Sequence, residues 1–177
     1  MKTEKDKFFS TQRGKRFAKF AVIGLIGWGL NELLIYLFLL LLDRFFENDL
    51  LFEIWRFDIE KALVASLISI AIVMVFNFIL NKSWTFKELE KDVQTNTIKQ
   101  FIQFTLIGLT GLAFYTGVMY VLFTLLHANE YLASSIAFFV GMINNFIWND
   151  LWTFNPKLKK EKEKEKKKIV SVAYEED

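Results

Sequence analysis

The amino-acid sequence contains the same apolar pattern twice. Residues 16–27 (RFAKFAVIGLIG) recur as residues 100–111 (QFIQFTLIGLTG), 84 positions later. Residues 77–86 (NFILNKSWTF) recur as residues 145–154 (NFIWNDLWTF), 68 positions later. A repeat of this kind constrains the fold more than any other feature, because it predicts a duplicated two-helix unit with its function at the interface of the two copies.

Four stretches of the chain are apolar enough to cross a membrane. The chain has 177 residues, of which 53% are hydrophobic, and hydrocarbon about 30 Å thick takes about 20 helical residues to cross. We expect spans at residues 20–42, 62–80, 101–126 and 131–148. Because lipid tolerates no unpaired backbone, the predicted fold class is all-α: an integral membrane four-helix bundle made of two tandem two-helix repeats in the same orientation. Gly24 and Gly108 are expected at helix crossings, where Leu would clash.

The distribution of basic residues predicts the orientation. Nineteen of the 22 Lys and Arg residues precede the first span, follow the second or follow the fourth, and only Arg44, Arg56 and Lys61 lie on the other side. Since basic loops stay in the cytoplasm, we expect both termini there. The two halves should then be related by an axis along the membrane normal, without inversion.

The same pattern divides the chain into segments. Residues 1–15 form a cytoplasmic N-terminal segment, residues 16–155 the transmembrane domain with repeats at 16–86 and 100–154, and residues 156–177 a charged cytoplasmic tail. The first repeat carries an outward insert at residues 43–61, where aromatic and aliphatic residues alternate with acids at roughly helical spacing. We interpret this insert as an amphipathic helix on the outer surface, with a folded cap that makes no lipid contact as the alternative.

Several classes of site are excluded by composition. The chain has no Cys and one His, His127, so it offers no disulfide, no thiolate metal site and no multi-His metal site. It also lacks a Gly-rich phosphate loop and a nucleophile–base pair. We therefore expect no cofactor, no bound metal and no enzymatic activity, and the Lys-rich tail is interpreted as contacting anionic lipid rather than nucleic acid.

The repeated motif supplies the first candidate site. Asn77 and Asn81, like Asn145 and Asn149, are four residues apart, so each pair lies on one helix face. Because a carboxamide facing lipid is costly, either the pairs hydrogen-bond between helices and cap helix ends, or they form a polar cradle for a lipid phosphate or sugar. The aromatic residues that follow are expected to anchor the protein at headgroup depth or to stack on a sugar ring: Trp84, Phe86, Trp152 and Phe154.

Charged residues at the same edge extend the candidate site. Arg16, Lys19 and Lys82 fit either the positive-inside pattern or the phosphate of a lipid-linked substrate, and the Arg16 fork is the best phosphate ligand among them. Lys82 aligns with Asp150 in the repeat, so these opposite charges are expected to lie near one another. The candidate headgroup-binding residues are therefore Arg16, Lys19, Asn77, Asn81, Lys82, Asn145, Asn149 and Asp150.

Asn31 and Glu32 form a separate intramembrane polar pair. Glu32 lies about 18 Å along the helix from Phe20, close to mid-membrane, and an acid at that depth is a functional candidate. The alternative is a buried acid satisfied by Asn, Ser or Tyr on a neighbouring helix. The equivalent residue of the second repeat is Thr116, so the acid is not part of the repeated pattern.

The repeated F-x-x-F-x-x-x-G and N-F-x-x-N-x-x-W-T-F blocks resemble the GtrA-like family over about residues 14–155. The resemblance implies a four-helix membrane protein of cell-surface polysaccharide synthesis, associated with polyprenyl-phosphate-linked sugars and membrane glycosyltransferases. A flippase role is usually proposed for the family. Similar helices anchor enzymes that resemble dolichol-phosphate mannose synthase.

Three functions fit the sequence. The first is translocation or presentation of a polyprenyl-phosphate-linked sugar, the second is a docking partner for a membrane glycosyltransferase, and the third is a proton-coupled small-molecule exporter that uses Glu32. The expected partners are membrane lipids, the lipid-linked sugar and a glycosyltransferase. Homo-oligomerisation is left open by the sequence.

Overall fold

Four long apolar helices make up most of the protein, as the sequence predicted. The computed structural model describes residues 4–47, 49–54, 57–91 and 93–155, so the tail at 156–177 lies outside the described residues. The segments long and apolar enough to cross a membrane are Thr11–Phe45, Lys61–Thr85, Thr97–Leu125 and Glu130–Thr153. The protein is therefore an all-α integral membrane protein.

The first helix, α1 (Glu4–Phe45), is longer than a membrane crossing requires. Its 42 residues extend about 63 Å at 1.5 Å per residue, roughly twice the hydrocarbon thickness. The N-terminal segment, predicted to be separate from the first span, is therefore continuous with it from Glu4. This part of the chain is rich in Lys, Glu, Gln and Arg, which are good helix formers.

The insert between the first two spans is a β-hairpin, so the prediction of an amphipathic helix there is wrong. Strands β1 (Leu50–Ile54) and β2 (Phe57–Glu60) pair in antiparallel fashion. The segment is rich in Phe and Ile, which favour strands. Helix α2 (Lys61–Leu80) follows β2 directly.

The second half of the chain contains three further helices. A short helix, α3 (Lys87–Glu90), lies in the loop between the repeats. Helix α4 (Thr97–Met119) begins where the Asn96 side chain accepts a hydrogen bond from the Lys99 amide. Helix α5 (Glu130–Trp148) is capped in the same way by Asn129.

Three long helices end in π-helical turns, namely π1 (Asn81–Thr85) after α2, π2 (Tyr120–Leu125) after α4 and π3 (Asn149–Thr153) after α5. Each span is thereby lengthened by about one turn. His127 then adopts a left-handed conformation with φ of 53°, which is common just after a helix ends, and the Ala128 amide donates to the carbonyl of Leu122, six residues earlier. This cap closes the short connection to α5.

The chain divides into two compact units, residues 1–83 and 84–177. In the first unit, Ser69 donates to Asn31 at 2.8 Å and Lys61 donates to Asp43 at 2.8 Å. The earlier residue of α1, Asn31, meets the later residue of α2, Ser69, so the two helices run antiparallel. In the second unit, hydrogen bonds join Asn144 to Thr110 and Tyr115 to Ser134, so α4 and α5 are also antiparallel.

Glycines mark the closest approach of the helices, but at positions that differ from those expected. A Cβ added at Gly27 would lie 2.9 Å from Cγ of Asn77, and one at Gly111 would lie 2.5 Å from Cγ of Asn145. Gly24 and Gly108 have no heavy atom within 4 Å of such a Cβ, so the prediction of crossings there is wrong. The glycines that contact Asn77 and Asn145 are Gly27 and Gly111, which lie three residues, about one helical turn, after Gly24 and Gly108.

Candidate functional site

The carboxamides of the repeated motif have fixed orientations. The Asn81 side chain donates from Nδ2 to the Asn77 carbonyl at 2.8 Å, and Asn149 donates from Nδ2 to the Asn145 carbonyl at 2.8 Å. Turning either amide over would place its oxygen against that carbonyl oxygen, which would be repulsive. The amide oxygen of each residue therefore points away from its own backbone.

Six side-chain oxygens of the motif are buried without a hydrogen-bond partner. No residue that the structure describes bonds to them, and they are the amide oxygens of Asn77, Asn81, Asn145 and Asn149 and the hydroxyls of Thr85 and Thr153. Each such group costs about 1–3 kcal/mol when it lacks a partner. The same three positions are affected in both repeats, so the arrangement is a duplicated property of the motif.

Each set of three oxygens follows one helix axis at four-residue intervals. At 1.5 Å per residue, the eight residues from Asn145 to Thr153 extend about 12 Å. The last two positions fall in a π-helical turn in both repeats, and such turns often occur at functional sites. We refer to the two sets as the Asn–Asn–Thr ladders.

Close contact with Gly27 and Gly111 explains part of the burial of the Asn77 and Asn145 side chains. A Cβ at Gly27 or Gly111 would overlap the facing Asn carboxamide, and glycine has only a hydrogen at that place. The glycine Cα–H therefore faces the Asn side chain, which is the geometry of a weak C–H···O contact. Asn81, Asn149 and the two Thr residues have no such glycine partner among the described contacts.

The second unit surrounds its ladder with further buried polar side chains. Gln100 donates from Nε2 to a Glu90 carboxylate oxygen and to the Thr153 carbonyl at 3.2 Å, which ties α3 and the start of α4 to π3. Gln103 and Asp150 are also buried. The sequence reasoning included Asp150 but missed Gln100, Gln103, Thr85 and Thr153. The repeat itself was the available signal, because Gln100 and Gln103 align with Arg16 and Lys19.

The basic candidates belong to the first unit. Arg16, Lys19 and Lys82 are half-buried, Arg16 and Lys19 near the N-terminal side of the membrane crossing of α1 and Lys82 in π1. Asp150 lies in the second unit, so its expected proximity to Lys82 stays a prediction. Asn77 and Asn81 complete the candidate set of this unit.

The intramembrane pair is divided between two environments. Asn31 accepts a hydrogen bond from the fully buried Ser69 and so joins α1 to α2. Glu32 is exposed on the surface of the described structure, so it does not match the alternative of a buried acid. An exposed carboxyl at this depth is unusual in a membrane span.

The aromatic candidates also separate into two groups. Trp84 and Trp152 are 47% and 39% exposed, as expected for rings at a membrane interface. Phe86 and Phe154 are fully buried, and their rings are stacked. The prediction that these two Phe residues anchor the protein in the headgroup layer is therefore wrong, because they form part of the core.

No metal site accompanies these residues. Among the residues that the structure describes, no three of His, Cys, Asp and Glu are grouped so that they could hold a metal ion. The chemistry available at the ladders is hydrogen bonding by amides, hydroxyls and one carboxylate.

Comparison with known proteins agrees with the duplicated architecture. The family model described as GtrA/DPMS, transmembrane domain, matches residues 5–86, 50–127 and 103–174. The first and third matches correspond to the two repeats, and the second joins the end of one repeat to the start of the other. No curated protein matches the chain at a significant level. The duplicated ladders, the four spans and the tandem matches together establish that the chain belongs to the GtrA/DPMS transmembrane domain family.

Proposed function

We propose that the protein translocates or presents a polyprenyl-phosphate-linked sugar during synthesis of a cell-surface polysaccharide or glycolipid. Family membership supports a role in such synthesis. The observation that carries the proposal is the pair of Asn–Asn–Thr ladders, in which buried oxygens without a described hydrogen-bond partner lie at the C-terminal end of each helix, α2 and α5. Duplicated polar groups inside apolar spans are costly, and membrane proteins keep them mainly for function.

The first unit offers the groups that a phosphate requires. Arg16 presents a planar fork of donors that can hold two phosphate oxygens at once, and Lys19 adds a second cation one turn further along α1. Both side chains are half-buried, so the electrostatic attraction is screened less by salt than it is at a fully exposed site.

The spans supply an apolar surface for the lipid chain. In the second unit, a groove with a volume of about 510 Å³ lies along α4, π2 and α5. Its lining is almost wholly apolar: Ala113, Phe114, Gly117, Val118, Val121, Leu122 and Ile136. Such a surface accommodates an isoprenoid chain without a desolvation penalty.

The docking-partner function requires no substrate contact with the ladders. In that case the basic end of α1 and the exposed Trp residues would form the surface that binds a glycosyltransferase. Substitutions within the ladders would then leave surface glycosylation unchanged as long as the protein folds. The effect of ladder substitutions on glycosylation therefore separates the two functions.

The test compares three variants of the full chain in cells that need it for a surface polysaccharide. Arg16→Ala and the double variant Asn81→Ala/Asn149→Ala should lower surface glycosylation at least tenfold, with normal amounts of folded protein in the membrane. Glu32→Gln should have little effect, because a mid-membrane carboxylate would repel an anionic headgroup. Loss of activity in Glu32→Gln, with normal Arg16 and Asn variants, would replace this proposal with proton-coupled export.

A further inference from the structure

At three equivalent positions of the repeat, the first unit has a cationic side chain and the second unit has an amide or an acid. Arg16, Lys19 and Lys82 of the first unit correspond to Gln100, Gln103 and Asp150 of the second. Each of these three cations is thus replaced by an amide or an acid, whereas Lys15 corresponds to Lys99. The two repeats share the same helical motif but differ in the charge of the side chains at these three positions.

In the second unit these residues join a buried polar cluster. Its six members are between 1% and 7% exposed: Thr85, Gln100, Gln103, Asn149, Asp150 and Thr153. Three of them have an oxygen without a hydrogen-bond partner among the described residues: the hydroxyls of Thr85 and Thr153 and the amide oxygen of Asn149. We refer to this set as the second-unit polar cluster.

The hydrogen-bonding capacity of the cluster limits its ligand. The unsatisfied Thr153 hydroxyl can donate a hydrogen bond or accept one. Phosphate oxygens are acceptors at neutral pH and need donors, whereas the Asn149 Oδ1 only accepts, the Asn149 Nδ2 already serves the Asn145 carbonyl, and the adjacent Asp150 carboxylate would repel an anion. The phosphate of a lipid-linked sugar is therefore a poor match for these positions. A sugar hydroxyl is a good match because it donates a hydrogen bond and can also accept one from Gln103.

The spacing of these oxygens argues against a single bound cation. A hard cation holds its oxygen ligands about 2.3–2.6 Å away, so those ligands lie close together. The ladder of the second unit instead extends about 12 Å along α5 and π3. A group with several hydroxyls along its length fits this distribution better than an ion does.

We propose that the second-unit polar cluster binds the hydroxyl groups of the transported or presented sugar and determines which sugar is accepted. This assignment rests on the proposed function. Because the cluster is closed to solvent, a sugar reaches it only when the helices of this unit move apart. The π3 turn, which departs from regular α-helical geometry, is the place where we expect that movement.

The test uses the full chain in lipid nanodiscs and two kinds of probe. One probe is undecaprenyl phosphate, and the other is a panel of undecaprenyl phosphates that carry glucose, galactose, mannose or N-acetylglucosamine. Thr153→Val removes the hydroxyl at nearly constant shape, and Thr153→Ser restores it. We expect Thr153→Val to weaken binding of the best glycosylated lipid about fivefold, the value of one ordinary hydrogen bond, and to leave undecaprenyl phosphate binding unchanged.

Two comparisons make the result decisive. Thr153→Ser should bind like the wild type, and Arg16→Ala should weaken binding of both lipids by the same factor. An equal loss for both lipids in Thr153→Val, or no loss for either, would overturn the sugar assignment while leaving the proposed function in place. A wild-type protein that binds neither lipid would overturn the proposed function as well.

Discussion

The rings of Phe86 and Phe154 stack face to face, with centroids 4.6 Å apart and planes at 9° to each other. These residues end the two copies of the N-F-x-x-N-x-x-W-T-F motif, so equivalent positions of the repeat are in direct contact. Contact between equivalent residues is what a local two-fold relation between residues 84–86 and 152–154 produces. Phe146 and Phe104 pack around the pair with centroids 6.2 Å from Phe86 and Phe154, respectively.

The first prediction concerns this stack. Phe154→Ala should lower the free energy of unfolding by about 3–5 kcal/mol, because it removes a fully buried aromatic ring and leaves a cavity. Phe154→Leu should cost less because it retains most of the apolar volume. Thermal unfolding of the purified protein in detergent, followed by circular dichroism, measures both changes.

A double-mutant cycle tests whether the two rings interact as a pair. Phe86→Leu and Phe154→Leu should together cost less than the sum of the single changes by about 0.5–1.5 kcal/mol, the value of an aromatic pair beyond its buried area. Trp152→Leu is the matched control, since Trp152 is partly exposed at the neighbouring motif position. Strictly additive losses would show that the stacking geometry contributes nothing.

The second prediction separates the four glycines that both repeats share. Gly27→Ala and Gly111→Ala should each destabilise the protein by about 1–3 kcal/mol, because the added methyl group would overlap the Asn77 or Asn145 carboxamide. Gly24→Ala and Gly108→Ala are the matched controls, and they should be neutral or slightly stabilising because Ala is the better helix former. The measurement is the unfolding midpoint of the four variants in one detergent. The interpretation fails if the two pairs of variants unfold alike.

Much of the fold could be predicted from the sequence because its strongest signals are periodic. Four long apolar stretches and two repeated blocks determine the number of spans and the tandem arrangement. The four-residue spacing of Asn77 and Asn81 also predicts the shared helix face, which the Nδ2 hydrogen bond confirms. These inferences depend only on helix geometry.

The remaining errors come from tertiary packing. Gly24 and Gly27 look alike in the sequence, and only the rotation of α1 against α2 decides which one meets Asn77. The apolar residues of the insert at 43–61 fit the spacing of a helix and that of a strand equally well. The pairing of β1 with β2, which the spacing does not show, decides for the hairpin. Phe86 follows an exposed Trp and a buried Thr, and its contact with Phe154 comes from a residue 68 positions away. The axis along the membrane normal that should relate the two halves stays a prediction.

The third prediction concerns the base of the hairpin. Lys61 is buried, its ammonium lies 2.8 Å from Asp43 and 3.9 Å from Asp49, and its amide donates to the Asp49 carbonyl. Asp43→Asn should cost about 1–3 kcal/mol because it leaves the buried ammonium without its nearest carboxylate. Protease cleavage of residues 46–60 in detergent should become faster as the hairpin loosens.

Asp49→Asn is the control for this ion pair. Its carboxylate is more distant and almost fully exposed, so the exposed pair contributes little to stability. If Asp49→Asn accelerates cleavage as much as Asp43→Asn does, the short ion pair is not what holds the hairpin.

The fourth prediction is the orientation of the protein in the membrane. The basic residues concentrate at the N-terminal end of the chain up to Lys19, between α2 and α4, and after residue 155, and such basic segments remain in the cytoplasm. The hairpin is attached at the other end of α1 and should therefore face outward. In cells, a membrane-impermeant thiol reagent should label Asn48→Cys from outside and should label Gln94→Cys only after the membrane is permeabilised.

The same labelling pattern also shows which side of the membrane the Asn–Asn–Thr ladders are closer to. Asn81 and Asn149 lie at the ends of α2 and α5 that are nearer in sequence to the basic loop and the tail, so the predicted orientation places them towards the cytoplasm. The chain has no native Cys, so the unmodified protein gives the background for both reactions. Labelling of Gln94→Cys in intact cells, with protection of Asn48→Cys, would reverse the orientation and place the cations proposed to bind phosphate on the outer side.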